Sequence, residues 1–429
     1  MPNLPYDAIV FDLDGTLTRS EEGIITSVQY ALKQMGIHGI EKRELMHFIG
    51  PPLRDSFLQM GLSQEQASEA IGHYTSFYDR EGMYLYGVYP RIRCILATLK
   101  KQGAYLAVAT SKPIARTMRL FKQYHMERYF DCVIGEQSND LQLGKAELIA
   151  RALPQTYRRA VMVGDRKYDI EGAKANGIDS IGAGYGYAPE GELEAAGATE
   201  IVATTEELAD MLCPDCEPPR GYFLTVEGMD GSGKTTQISK LAARLTQYGY
   251  DLVQTREPGG CKISERIRNL VLTTEFMEMS DACEALLYAA ARAQHVHEVI
   301  RPAVKAGKLV LCDRFVDSSI AYQGGGRELG IGPVGQINAF AIREMIPDAT
   351  IYLGIDYAKA ISRRRSASKP DRLESQPDAF YERTQAAYDQ LMREYPGRFI
   401  AVDGDKPADA LADDIFTAVL QRLDGAEGI

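Results

Sequence analysis

Two stretches of this chain combine residue types and spacings suited to phosphate chemistry. The first is the loop Gly228-Met229-Asp230-Gly231-Ser232-Gly233-Lys234-Thr235, which follows the apolar run Tyr222-Phe223-Leu224-Thr225-Val226. Its G-x-x-x-x-G-K-[ST] spacing lets consecutive backbone N–H groups point inward at phosphate oxygens, gives Lys234 reach to β/γ-phosphates, and leaves the Thr235 hydroxyl to hold Mg²⁺. Helix-forming residues from Gln237 to Leu245 follow, so the loop opens onto a helix N-terminus, where anions are favoured. The second stretch is Phe11-Asp12-Leu13-Asp14-Gly15-Thr16. Two carboxylates two residues apart repel, and a hard divalent cation with oxygen ligands, such as Mg²⁺, is their natural stabiliser. With a phosphate neutralised by that cation, Asp12 can attack phosphorus to give an aspartyl-phosphate, which water then hydrolyses. Asp14 can protonate the leaving alkoxide and later activate that water. A chain with both stretches carries two active sites.

These residues must be held at strand ends. In the N-terminal half the short β-rich runs Ala8-Ile9-Val10-Phe11, Tyr105-Leu106-Ala107-Val108-Ala109, Ala160-Val161-Met162-Val163 and Ser180-Ile181-Gly182 alternate with helical stretches, which implies a parallel sheet covered by helices. Functional groups collect at the carboxyl ends of such strands. Those ends carry Asp12 and Asp14, Thr110 and Ser111, and Asp165 with Asp169. The insertion from about Leu17 to Tyr86 lacks clear strands, and the spacing of Ile24, Val28, Ala31, Leu32 and Met35 is helical, which predicts a helical cap. In the C-terminal half, Arg256-Glu257-Pro258-Gly259-Gly260 follows the strand Leu252-Val253-Gln254-Thr255, and Asp313-Arg314-Phe315 follows Leu309-Val310-Leu311-Cys312. Both place charged groups at the sheet edge that faces the phosphate cradle. Arg363-Arg364-Arg365, Lys369 and Arg372 form a basic cluster, whose plainer reading is a solvated face.

Composition bounds the partners. With 429 residues, 45% of them hydrophobic, the chain has material for two domains with a core each. A net charge of −11 argues against a sequence-independent nucleic-acid binder or a binder of acidic membranes, because phosphate backbones demand a basic surface. Small-molecule partners are expected, with no nucleic acid and no membrane. No apolar stretch reaches the roughly eighteen residues of a membrane span, and Met1 to Tyr6 lacks signal-peptide character, so a cytoplasmic location is expected. The seven cysteines are odd in number and scattered, which suits reduced thiols. Cys213 and Cys216 form a lone C-x-x-C beside Glu217-Pro218-Pro219-Arg220-Gly221, where paired prolines predict a linker over 213–220 between domains at 1–212 and 221–429. A zinc or redox role for that pair is the alternative to a linker role.

Residues 5 to 212 resemble the haloacid dehalogenase-like phosphatase superfamily, whose four motifs stand here in order. The resemblance implies that Asp12 is the nucleophile and Asp14 the acid/base. It makes Thr110 of Ala109-Thr110-Ser111-Lys112-Pro113 a phosphate ligand, with Ser111 beside it. Lys145 is the charge stabiliser, although Ala146 stands where relatives often carry proline. Asp165 of Gly164-Asp165-Arg166-Lys167-Tyr168-Asp169 joins Asp12 and Asp14 around Mg²⁺, with Asp169 supporting the site. Ile49-Gly50-Pro51-Pro52-Leu53 and Gly177-Ile178-Asp179-Ser180-Ile181-Gly182 are most similar to phosphoglycolate phosphatase and 5′-nucleotidase-like members.

From Tyr222 to about Leu420 the chain resembles the thymidylate kinase family, most clearly through Asp313-Arg314-Phe315-Val316-Asp317-Ser318-Ser319-Ile320-Ala321-Tyr322-Gln323-Gly324. The acceptor of such an enzyme is an already ionised phosphate oxygen, so positioning and positive charge matter more than a strong base. The resemblance implies that Gly228, Asp230, Gly231, Ser232, Gly233, Lys234, Thr235 and Thr236 bind ATP, with Thr235 on Mg²⁺. Asp230 orients the acceptor and Arg314 holds the dTMP phosphate. Tyr288, where relatives often have Phe, stacks on thymine, and Arg292, on the same helical face, reaches a thymine carbonyl. Glu257, Ser319 and Gln323 are implied contacts to dTMP, and Tyr322 excludes a ribose 2′-hydroxyl. Ser232 and Gly233 stand where some members place arginine, so Arg363 and Arg365 of a closing lid are expected to supply that charge, with Arg364 or Lys369 as substitutes. The family also implies a homodimer through the kinase domain.

The expected fold is thus α/β in two domains, a Rossmann-like phosphatase core with a helical cap followed by a P-loop kinase with a parallel sheet. The expected activities are dTMP phosphorylation by ATP and Mg²⁺-dependent hydrolysis of a small phosphate monoester. Two alternatives stand beside it: the first domain is a non-catalytic docking or sensing module, or the kinase takes another nucleoside monophosphate.

Overall fold

A computed structural model describes residues 4–137, 143–356, 359–360, 372 and 376–427. The chain divides into two compact units, one up to Glu217 together with Thr246–Gly249, and one made of the rest from Pro218 onward. In the first, the strands are β1 (Ala8–Phe11), β2 (Thr18–Arg19), β3 (Gly87–Val88), β4 (Tyr105–Pro113), β5 (Cys132–Glu136), β6 (Ala160–Gly164), β7 (Asp179–Ala183) and β8 (Glu200–Val202). Six of them form a parallel sheet in the order β5-β4-β1-β6-β7-β8. β1 and β6 are buried along their whole length, which is why each is an unbroken apolar run rather than an alternating one. Strand order turns back on itself at β1, with β4 on one side and β6 on the other, and the crevice of such a sheet opens outside the carboxyl ends at that point.

Between β2 and β3 lie the helices Glu21–Gln34, Leu53–Gln59 and Gln64–Arg80. The last begins with a capping box in which Ser63 and Gln66 satisfy each other's backbone N–H groups. Stacked Tyr30 and Phe77 join the first of these helices to the last. The insertion was expected to lack strands, yet β2 pairs antiparallel with β3 at its base, Thr18 opposite Val88. Two-residue strands carry too little periodicity to be seen in sequence.

The second unit contains β9 (Phe223–Gly228), β10 (Leu252–Arg256), β11 (Leu309–Asp313), β12 (Ala349–Gly354) and β13 (Phe399–Asp403). They form a parallel sheet in the order β10-β11-β9-β12-β13, so β9 is central and sits at the same kind of turning point as β1. The helix Asp281–His295 begins at Ser280, whose hydroxyl accepts the Cys283 N–H.

Cys213 and Cys216 are joined as a disulfide, which corrects the expectation of reduced thiols throughout; the other five cysteines are free. The Cys216 N–H donates to the Cys213 carbonyl, closing a turn that brings their Cα atoms to 5.3 Å, within bridging range.

Candidate active sites

At the end of β1 the backbone turns sharply. The Asp12 N–H donates to the Val163 carbonyl on β6, and Gly15 takes φ +92°. A Cβ on Gly15 would lie 2.1 Å from Asp165 Oδ2, so this position needs glycine for close approach as well as for its backbone. Asp12, Asp165 and Asp169 are buried, and among the described residues their carboxylates form the group able to hold a metal ion, with ligand atoms within 4.8 Å of one another. Lys145, the first residue of the helix Lys145–Ala152, lies 2.5 Å from Asp12 Oδ1 and 2.6 Å from Asp169 Oδ1. Asp165 accepts the Tyr187 N–H at 2.8 Å.

The electrostatics follow from this crowding. Burial, with the charges of Asp169 and Asp14, pushes the Asp12 carboxyl up to about 7, against the pull of Lys145. Burial also raises Asp165 well above the usual carboxylate range, with Asp12 and Asp169 adding to it. Burial opposes the Lys145 charge, but Asp12 and Asp169 more than offset it and hold the ammonium above its ordinary range. Three buried carboxylates against one lysine cannot all ionise without further positive charge, and an all-oxygen donor set of this kind fits a hard divalent cation.

Asp14 differs from expectation. Its carboxylate is outside the metal-competent group and lies 2.6 Å from Lys112 Nζ, which also donates to Tyr86 Oη at 2.9 Å. The physical reason is the buried Lys112 ammonium, which needs a counter-charge and finds Asp14 across the sheet. Thr110 is buried, its hydroxyl accepting the Lys112 N–H, whereas Ser111 is exposed. Lys112 lies within the stretch Ala109-Thr110-Ser111-Lys112-Pro113, and its spacing alone assigns it no role.

In the second unit the cradle follows β9. Gly228 and Gly231 have φ +141° and +85°, and a Cβ on Gly231 would meet the Ala360 carbonyl at 2.2 Å. Lys234 opens the helix Lys234–Gln247 and donates to the Gly228 and Met229 carbonyls. Burial, then the charge of Arg314, presses the Lys234 ammonium down to about 8, with Asp230 opposing. Ser232 is buried, while Gly233, Thr235 and Thr236 are exposed.

Arg314, directly after β11, adopts the left-handed φ of +63°, a strained backbone for a side-chain-bearing residue. Its loop is held from below by Glu227, which accepts the Phe315 N–H at 2.7 Å, the Ser318 hydroxyl, and the Tyr388 hydroxyl at 2.9 Å. Burial, then the Asp317 charge, raises the Glu227 carboxyl, with Arg314 opposing. So held, the guanidinium of Arg314 reaches Asp230 Oδ1 at 2.5 Å and Ser318 Oγ at 3.1 Å, and the Tyr322 hydroxyl donates to Asp230 Oδ2 at 3.3 Å. The structure therefore brings Asp230, Lys234, Arg314 and Tyr322 together.

Tyr288 and Arg292 are both buried on the helix Asp281–His295. Arg292 donates to Glu257 Oε2 at 2.6 Å, to Phe315 O at 3.1 Å, and to Asn338 Oδ1. His295 Nδ1 lies 2.9 Å from the other Glu257 oxygen, and its Nε2 lies 2.7 Å from Thr255 Oγ1. Ser319 is buried with no hydrogen-bond partner for its hydroxyl among the described residues, and Gln323 Nε2 donates to Glu284. Glu227, Glu284, His295 and Asn338 were not singled out from sequence. For Glu284 and Arg292 the signal is present as a spacing that repeats by four through Tyr288. Arg363, Arg364, Arg365 and Lys369 lie outside the described residues.

Both units are phosphate-handling α/β enzyme domains, the first a hydrolase domain and the second a P-loop kinase. The haloacid dehalogenase-like hydrolase profile matches residues 9–183, and the thymidylate kinase profile matches residues 226–415. The thymidylate kinase of Exiguobacterium sp. strain AT1b is 42% identical over 203 residues, 47% of this chain and 96% of that protein. That of Lactobacillus delbrueckii subsp. bulgaricus is 49% identical over 191 residues, 44% of this chain and 90% of that protein. Among solved structures, one from Clostridium difficile is 37% identical with a TM-score of 0.45, covering 48% of this chain and 98% of that one. A haloacid dehalogenase-like family hydrolase of Streptococcus pneumoniae is 29% identical with a TM-score of 0.43, covering 47% of this chain and 96% of that one. Through its C-terminal half the chain belongs to the thymidylate kinase family, and a haloacid dehalogenase-like hydrolase domain precedes that half. Among the described residues no helix is long and apolar enough to cross a membrane.

Proposed function

We propose that the chain is a bifunctional enzyme, a kinase that transfers a phosphoryl group from ATP to dTMP and a phosphatase that cleaves a small phosphate monoester through an aspartyl-phosphate. The observation that carries the kinase reading is the strained Arg314, anchored by Glu227 and ion-paired to Asp230 of the cradle, where a guanidinium can hold an acceptor phosphate next to donor phosphates. Gly228, Gly231, Ser232, Gly233, Lys234, Thr235 and Thr236 receive ATP. Asp230 orients the acceptor. Glu257, Tyr288, Arg292, Ser319, Tyr322 and Gln323 receive the nucleoside, and Arg363 and Arg365 contribute lid charge.

In the phosphatase, Asp12 attacks phosphorus, Thr110 and Ser111 bind phosphate oxygens, and Lys145 offsets the charge of Asp12 and Asp169. Asp14 exchanges the proton. Asp12 and Asp165, with Asp169 close by, would hold Mg²⁺, which when bound neutralises the phosphate and the carboxylates. Thr235 would serve the Mg²⁺ that accompanies ATP. The domains are taken as 1–212 and 221–429 with 213–220 between them, and the location as cytoplasmic. A homodimer through the kinase domain is supported by exposed apolar side chains on three of its helices: Ile263 and Leu270 on Lys262–Leu272, Leu286 on Asp281–His295, and Phe340, 81% exposed, on Ile331–Ile342.

The test is product analysis of the full-length protein with dTMP and Mg²⁺, with and without ATP, separating thymidine, dTMP and dTDP. The expected result is dTDP only with ATP, and no thymidine without it, because a phosphatase that consumed dTMP would undo the kinase. Thymidine without ATP would show that both sites draw on one pool. Absence of dTDP would remove the thymidylate reading.

A further inference from the structure

The helix Asp281–His295 carries Glu284, Tyr288 and Arg292 at intervals of four, on one face, and only the last two have a place in the reading above. Glu284 is fully buried. Its Oε2 accepts from Arg372 Nη2 at 2.5 Å and from Arg327 Nη2 at 2.9 Å, while its Oε1 accepts from Gln323 Nε2 at 2.9 Å and faces Arg327 Nε at 3.4 Å. Two guanidinium groups already neutralise this carboxylate, so the bond to Gln323 is not needed for charge balance. It has a directional consequence instead. An ionised carboxylate can only accept, so the Gln323 amide must turn its NH₂ toward Glu284 and its carbonyl oxygen away. Gln323 is itself buried, and its carbonyl oxygen accepts no hydrogen bond among the described residues.

We propose that Glu284 is a positioning residue that fixes the Gln323 amide with its oxygen toward the nucleobase, selecting pyrimidines that carry an N3–H over those whose N3 is an acceptor. The proposal rests on the thymidylate kinase reading, in which Gln323 faces the base. Thymine offers a proton at N3 and satisfies the amide oxygen. Cytosine offers a lone pair there, so two acceptors would meet in a buried site, and an unpaired buried polar group is costly.

The glutamine substitution of Glu284 sharpens the test. In Glu284→Gln the side facing Arg327 and Arg372 keeps its oxygen, because two guanidinium donors point at it, and the new NH₂ points at Gln323. Gln323 must then turn over to accept, presenting its own NH₂ to the base. The measurement is kcat and KM for dTMP and for dCMP in the full-length wild-type protein, Glu284→Gln, Gln323→Leu and the double variant. The dTMP to dCMP ratio of kcat/KM should fall about 10- to 100-fold in Glu284→Gln, mainly through a higher KM for dTMP. The double variant should show the ratio of Gln323→Leu alone, since Glu284 acts through Gln323. Equal losses for both nucleotides in Glu284→Gln, or a ratio that still changes when Glu284→Gln is added to Gln323→Leu, would make Glu284 a structural clamp and overturn the proposal. If Glu284→Gln does not fold, Gln323→Leu decides, because a dTMP to dCMP ratio left undiminished there overturns it as well. A wild-type protein that phosphorylates dTMP while the variants behave in this second way leaves the kinase reading standing; a wild type that makes no dTDP removes both.

Discussion

The two sites sit on the same scaffold and are electrostatic opposites. Each lies beyond the carboxyl end of a central strand, β1 or β9, where the strand order of a parallel sheet turns back. In the first unit Asp12, Asp165 and Asp169 crowd around Lys145, and burial with like charge drives Asp12 up to about 7. In the second, burial and Arg314 drive Lys234 down to about 8. One site has more carboxylates than its lysine can hold ionised and asks for a cation before an anionic phosphate can approach. The other presents positive charge directly to phosphates. The difference matches two solutions to phosphoryl transfer, a protein nucleophile that forms a covalent intermediate and a cradle that positions donor and acceptor without one. Packing differs from position to position: a Cβ would collide with Asp165 at Gly15 and with the Ala360 carbonyl at Gly231, whereas at Gly233 it would meet nothing within 4 Å.

The comparison can be broken at its strongest point by removing each site's key charge. Asp12→Asn should lower phosphate release at least about 10⁴-fold, because in the proposed mechanism no other group replaces Asp12 as the nucleophile, and should leave dTDP formation unchanged. The assays are phosphate release from a panel of phosphate esters and chromatography of thymidine nucleotides. Lys234→Met should lower kcat for dTDP about 10²- to 10³-fold, the usual loss of one charge-stabilising donor, with phosphate release intact. If either variant depresses both activities, the sites are not chemically independent. The packing contrast gives the smaller effects. Gly15→Ala should destabilise the first unit by about 2–5 kcal/mol, combining left-handed strain with overpacking against Asp165, while Gly233→Ala should cost the second unit only about 1–2 kcal/mol from the backbone. Scanning calorimetry reads both, and equal shifts would contradict the crowded-versus-open distinction. Phe340→Asp places a charge on the exposed apolar surface of the second unit and should leave a monomer in sedimentation equilibrium if that surface pairs two copies.

Local constraints made much of each site readable. Gly15, Gly228 and Gly231 are turns that need positive φ, and the polar residues beside them stand at strand ends where chemistry collects. The short strands β2, β3 and β8 escaped notice because two or three residues show no period. β12 and β13 were equally unannounced, since each had to be recognised from one short apolar run with no motif at its end.

By itself the sequence determined which functional groups are present, the turns that carry them and the two kinds of phosphate chemistry they serve, because backbone requirements and motif spacings are local. Only the tertiary structure decided the partners: Asp14 with Lys112 rather than with Asp12 and Asp165, Arg314 with Asp230 and Tyr322, Glu284 with Gln323, and Cys213 with Cys216. The first pair depends on β4 lying beside β1, the second on β11 lying beside β9, and the third on a helix packing against a segment some forty residues away in the chain, 39 positions by count. Which charges face one another across a sheet is set by strand order and helix packing, and those are properties of the whole core rather than of any stretch within it.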